Sequence, residues 1–129
     1  MYTMKQTCQQ VGMTYETLKF YCNEGLVPNV KRDQNNYRCF DEKDIAWLKG
    51  LQCLRKCGMS LNDMKRYMAD CLKGKSSIPN RKQLLMETKQ ELMRRMEEIN
   101  ESIEYIDHKL KFYDDVLEGK VPYISNLLD

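Results

Sequence analysis

The sequence predicts a mainly α-helical fold: a winged helix-turn-helix domain over residues 1–73, a long coiled-coil dimerisation helix over 78–118, and a short tail, 119–129. Three observations carry that expectation. Two short helical stretches near the N-terminus meet at a glycine-centred turn. A polar turn flanked by strand-like segments follows. The last third of the chain repeats apolar residues every three or four positions.

Thr3 to Gln10 reads as a brief helix, with Val11-Gly12-Met13 as the turn after it. Gly12 supplies the positive φ such a turn requires, and the small Cys8 four residues earlier lets two helices cross closely. A second helix runs from Thr14 to about Asn23 and stops at Gly25. Val30-Lys31-Arg32, Asp33-Gln34-Asn35-Asn36 and Tyr37-Arg38-Cys39-Phe40 then read as strand, polar turn and strand. A two-stranded hairpin has little core of its own and must lean on the helices. It carries Lys31, Arg32 and Arg38, and so forms a basic wing. Asp41 caps a third helix whose acidic first turn suits the positive end of the helix dipole. Its buried face comprises Ile45, Leu48, Leu51 and Leu54, and Gly58-Met59 ends it. Ser60 caps a fourth helix with Leu61, Met64, Met68 and Leu72 inward, and Lys73 to Ser77 reads as a flexible joint.

Leu85, Leu92, Met96, Ile99, Ile103, Ile106, Leu110, Tyr113 and Leu117 are spaced by seven, then alternately by four and three. That rhythm lays them on one seam with a period of 3.5, the pattern of a coiled coil, which Lys89 interrupts once. A helix starting near Pro79-Asn80 and ending before Gly119 and Pro122 is roughly 57 Å long. Its apolar stripe is too long to bury on the domain that precedes it, so a second copy of the chain is the expected partner.

At 129 residues the chain leaves no room for a large catalytic fold. Its only histidine, His108, lies in the long helix. Neither a nucleophile–base arrangement nor a phosphate-cradling glycine loop is present, so the expectation is that it is not an enzyme. No run of eighteen apolar residues occurs, and residues 1–12 lack the apolar core of a secretory signal, which predicts a cytoplasmic chain without a membrane span. Charge is unevenly spread: residues 1–73 hold 12 basic and 8 acidic side chains, residues 74–129 hold 9 and 11. A basic front half fits a chain whose front end meets something anionic. Without an export signal, the six cysteines (Cys8, Cys22, Cys39, Cys53, Cys57, Cys71) are expected to be reduced thiols. There is no C-x2-C pair, and Cys53 and Cys57, one helical turn apart, have no second pair to join, so neither a metal nor another cofactor is expected.

Read in order, Thr17-Leu18-Lys19-Phe20-Tyr21, Gly25-Leu26-Val27-Pro28, Asn36-Tyr37-Arg38-Cys39-Phe40, Asp44-Ile45, Leu54-Arg55 and Gly58-Met59-Ser60-Leu61 resemble the MerR family of bacterial transcription regulators. The resemblance covers about residues 2–72, and the long helix is similar in character to the family's dimerisation helix. Three positions depart from the pattern. Lys19 stands where arginine is frequent, which keeps the charge and loses the bidentate fork that reads guanine. Phe20 replaces a commoner tyrosine, and Cys39 occupies a wing position often held by another residue.

The resemblance implies that Thr14, Tyr15, Thr17, Lys19 and Tyr21 of the second helix face double-stranded promoter DNA. Tyr37 and Arg38 of the wing, and Arg55 near a second wing, would grip the backbone. Packing is the competing reading for Tyr21 and Tyr37. A homodimer would bind an inverted-repeat operator and distort the spacer between promoter elements for RNA polymerase, bending that costs roughly 1–6 kcal/mol. Cys53 lies where aldehyde- and nitrosative-stress-responsive members carry a cysteine. It stands beside Arg55 and Lys56, the kind of neighbours that favour a thiolate; the alternative is a buried small hydrophobe. A sensorless dimeric repressor and, from another class, a coiled-coil adaptor for proteins are the competing functions.

Overall fold

The structure, a computed structural model, describes residues 1–129. Its elements are β1 (Tyr2–Thr3), α1 (Met4–Val11), α2 (Tyr15–Asn23), β2 (Lys31–Arg32), β3 (Arg38–Phe40), α3 (Glu42–Lys56), α4 (Leu61–Lys73), a 3-10 turn at Lys75–Ser77 and α5 (Ile78–Leu117). Two compact units result, Met1–Lys89 and Gln90–Asp129. No helix is long and apolar enough to cross a membrane.

Each front helix begins at a side chain that satisfies an orphan backbone donor. Thr3 and Gln6 cap α1 reciprocally: the Gln6 N–H donates to Thr3 Oγ1 at 3.1 Å and the Thr3 N–H to Gln6 Oε1 at 3.0 Å. Asp41 and Asp44 do the same for α3, and Ser60 caps α4. Helix α1 ends at Gly12, which has a φ of 75° and donates its N–H to the Cys8 carbonyl at 2.9 Å. A Cβ at Gly12 would meet no atom within 4 Å, so alanine there is strained by backbone conformation alone. Gly12→Ala should therefore lower the urea-unfolding free energy by about 1–2 kcal/mol, the left-handed penalty for a residue with a Cβ.

The wing is an antiparallel three-stranded sheet in the order β1-β3-β2, pairing Tyr2 with Phe40, Thr3 with Cys39 and Arg32 with Arg38. Asp33 builds its turn by accepting the N–H groups of Asn35 (2.9 Å) and Tyr37 (3.0 Å), and Asn36 takes the left-handed conformation. Phe40 sends the sheet into the core beside Leu18, Tyr21, Leu26, Leu48, Leu51 and Met64, all buried. Trp47 spans the next layer: its indole N–H donates to the Leu26 carbonyl at 2.7 Å and its ring stacks on Tyr67 with centroids 6.4 Å apart.

Three sequence expectations change. Leu72 is exposed, because the residues α4 turns into the core are Leu61, Met64, Tyr67 and Met68, which leave Leu72 beyond the last of them. The stretch at Lys73 to Ser77 is no flexible joint. Ser77 is buried, donates to the carbonyls of Asp70 and Gly74, and accepts from Arg81 Nε at 3.0 Å, while Arg81 Nη2 reaches the Gly74 carbonyl at 2.6 Å. Helix α5 also gives Leu84 to the front core, so that unit extends past 73 to Lys89.

Within Gln90–Asp129, α5 continues unbroken to Leu117, ahead of Gly119 at a φ of 75°. Leu92, Met96, Ile99, Ile103, Ile106, Leu110, Tyr113 and Leu117 are all exposed. An uninterrupted apolar stripe of this length on the surface of one chain is the mark of an interaction face.

Candidate nucleic-acid interface

Helix α2 divides its residues between two faces. Leu18 and Tyr21, three apart, point inward and are fully buried; Tyr15 and Lys19, four apart, point outward and are exposed. Tyr21 therefore cannot donate to a phosphate as expected. Its ring fills the core and its hydroxyl is sealed from solvent without a hydrogen-bond partner. Thr14 and Thr17 are largely engaged with each other: Thr14 Oγ1 accepts the Thr17 N–H at 3.2 Å and donates to Thr17 Oγ1 at 2.9 Å. They start and orient the helix and leave Tyr15 and Lys19 as its outward reach.

On the wing, Tyr37 is 69% exposed and Arg38 half-buried. Arg38 Nη2 donates to Asn23 Oδ1, at the last residue of α2, at 2.8 Å. Strand register sets Arg32 directly opposite Arg38. Like charges facing each other across a strand pair are unfavourable unless something anionic relieves them. Arg32 Nη1 is otherwise held by the Asn36 carbonyl at 2.9 Å.

Lys31, by contrast, is spent on structure. Its ammonium contacts Asp41 at 2.9 Å and Asp44 at 3.1 Å and donates to the Asn29 carbonyl at 2.8 Å. Lys31, aided by the Asp44 backbone N–H, holds the Asp41 carboxyl at about 2. A depressed carboxyl stabilises the fold above its unfolded value near 4 and loses that contribution as pH falls through about 2. Asp41→Asn keeps a capping side chain, so it should flatten the fall in melting temperature between pH 4 and 2.

Lys5, Tyr15, Arg32, Tyr37 and Arg38 line one open cleft of about 930 Å³. The one acidic side chain there, Asp33, is turned to its own backbone N–H groups. Lys5 escaped sequence reasoning because it joins the cleft only through the pairing of β1 with β3, a long-range contact that no local pattern announces. Arg55 and Cys53 are both exposed near the end of α3, so Cys53 is not the buried small hydrophobe of the alternative reading. All six cysteines are free thiols, and no group of three or more His, Cys, Asp or Glu side chains is arranged to hold a metal ion.

A family model described as MerR HTH family regulatory protein matches residues 2–71. The chain belongs to the MerR helix-turn-helix family. It is a family of regulators, not of enzymes. An uncharacterized HTH-type transcriptional regulator of Haemophilus influenzae strain Rd is 43% identical over 83 residues, 64% of this chain and 62% of that relative. AdhR, an HTH-type transcriptional regulator of Bacillus subtilis, is 36% identical over 82 residues, 64% of this chain and 59% of AdhR. The chain thus spans about three fifths of the length of the curated MerR relatives it matches. Among solved structures, HiNmlR, a MerR regulator lacking the sensor domain and bound to promoter DNA, is 35% identical with a TM-score of 0.75, covering 91% of this chain and 93% of that one. A putative MerR regulator from Listeria monocytogenes is 25% identical with a TM-score of 0.81, covering 92% and 90%.

Proposed function

We propose that this MerR-family chain is a sequence-specific, DNA-binding transcription regulator that acts as a homodimer on an inverted-repeat promoter operator. The observation that carries the reading is the positive charge held open at the wing. Arg32 and Arg38 face each other beside Tyr15, Tyr37 and Lys5 in one open cleft, and a phosphate backbone is the ligand that relieves that repulsion. Tyr15 and Lys19 are outward side chains of the recognition helix, Tyr37 and the half-buried Arg38 serve the wing, and Arg55 in the last turn of α3 adds a backbone contact. Two copies joined along the exposed stripe from Leu92 to Leu117 bring two such heads to one operator. The DNA between half-sites is then bent and untwisted, which re-phases promoter elements for RNA polymerase in the cytoplasm. DNA binding by HiNmlR, similar over most of its length, supports this reading.

The test is selection of bound duplexes from genomic DNA, followed by affinity measurements at several salt concentrations. The expected hits are inverted repeats in promoters, bound with an affinity that falls steeply with salt. Lys19→Ala should weaken binding by roughly tenfold, the loss of one base or phosphate contact. Enrichment of no sequence, or salt-independent affinity, overturns the proposal.

A second reading concerns control. HiNmlR is described as lacking the sensor domain, which favours a dimer that regulates without an effector domain. Exposure of Cys53 favours a thiol switch instead. Wild type and Cys53→Ser together decide between them: no transcriptional response of the wild type to an aldehyde or oxidant supports the sensorless dimer, a response that Cys53→Ser abolishes supports the switch, and one that survives the substitution removes both.

A further inference from the structure

We infer that Asn23 is a positioning residue for DNA binding, holding the Arg38 guanidinium at the end of the recognition helix so that wing and helix meet DNA in one fixed register. The inference rests on the proposed DNA-binding function and adds a residue that makes no base contact of its own.

The geometry is direct. Asn23 closes α2, and its Oδ1 accepts from Arg38 Nη2, fifteen positions further along the chain, at 2.8 Å. The neighbouring Glu24 ties the same helix end to α4 through Lys65 at 2.8 Å, so the support for Arg38 is itself anchored. A guanidinium at the C-terminal end of a helix also lies at the negative pole of its dipole. The Cys22 thiol reports the same arrangement: burial pushes it up, and the charges of Arg38 and Arg32 pull it back.

The chemistry of the contact matters as much as its place. An arginine has five N–H donors. The Asn23 amide oxygen occupies one and leaves the rest, with the full positive charge, for phosphate. A carboxylate at the same point would neutralise that charge. Without a partner, Arg38 would be a rotamer-rich side chain that must be ordered each time DNA binds. Asn23 orders it beforehand.

The experiment is a double-mutant cycle of Asn23→Ala and Arg38→Ala, read as affinity for a duplex enriched from a random-sequence pool by the wild-type chain. Thermal melting is recorded beside it. Asn23→Ala alone is expected to weaken binding roughly three- to tenfold, the range set by ordering one long side chain. It should leave the melting temperature unchanged and the slope of affinity against salt intact. In the Arg38→Ala background the same substitution should have no effect, because the group it positions is gone. Asn23→Asp should bind more weakly than Asn23→Ala. Arg38→Ala itself should reduce the salt slope by about one phosphate contact. Equal losses from Asn23→Ala in both backgrounds, or no loss in either, overturn the inference while leaving DNA binding standing. Wild-type affinity in Arg38→Ala overturns the wing's part in the proposed function and the inference with it.

Discussion

Ile99→Glu combined with Ile103→Glu should turn a dimer into monomers and weaken operator binding by about a hundredfold to ten-thousandfold, the range set by losing a linked second binding event. Both isoleucines sit mid-stripe on α5 and are more than half exposed on the single chain. Pairing of the stripes would carry each glutamate into an apolar seam, where burying a carboxylate costs several kcal/mol. Sedimentation velocity at micromolar concentration should show the halved mass, and fluorescence anisotropy with an inverted-repeat duplex should show the lost affinity. A variant that stays dimeric, or a monomer that binds as tightly as wild type, would contradict the coiled-coil reading. The front unit should be untouched, since its core draws on α5 only at Leu84.

The second large effect is expected at Phe40. Its side chain is fully buried and lies at the end of the strand that carries Arg38, in register with Tyr2. Phe40→Ala should lower the unfolding free energy by about 3–5 kcal/mol, through lost burial and the cavity left behind. A domain of this size has about 5–15 kcal/mol in all, so the variant should unfold at much lower urea. Because the three-stranded sheet is anchored to the helices by this ring, DNA affinity should fall further than the unfolded fraction alone explains. An unchanged urea midpoint would show that the wing does not depend on Phe40.

Much of the fold was legible because its signals are local. Gly12, Asp41 and Ser60 mark helix ends by their own chemistry, and the stripe from Leu92 to Leu117 needs only periodicity. The candidate interface was legible in part: Tyr15, Lys19, Tyr37 and Arg38 are accessible, whereas Tyr21 is buried. Tyrosine has both an apolar ring and a hydroxyl, so its type cannot choose between core and phosphate; its position three residues from Leu18 on the helix does. Lys31 shows a related limit. It counts toward the basic charge of the hairpin in the sequence, whereas the fold brings Asp41 and Asp44 to its ammonium. The joint at Ser77 and the strand at Tyr2–Thr3 depend on partners distant in sequence or on hydrogen bonds that no periodicity encodes. Leu84 and Leu85 are adjacent leucines, and a 3.5-residue count selects the second while the front core takes the first.

The single tryptophan has a practical consequence. Trp47 is clamped between the Leu26 carbonyl and the Tyr67 ring, wholly within the Met1–Lys89 unit. Its emission is therefore a built-in optical gauge of that unit. The wavelength should shift red when Phe40 is lost and stay put when the glutamates part the two chains, so one unlabelled sample separates melting from dissociation.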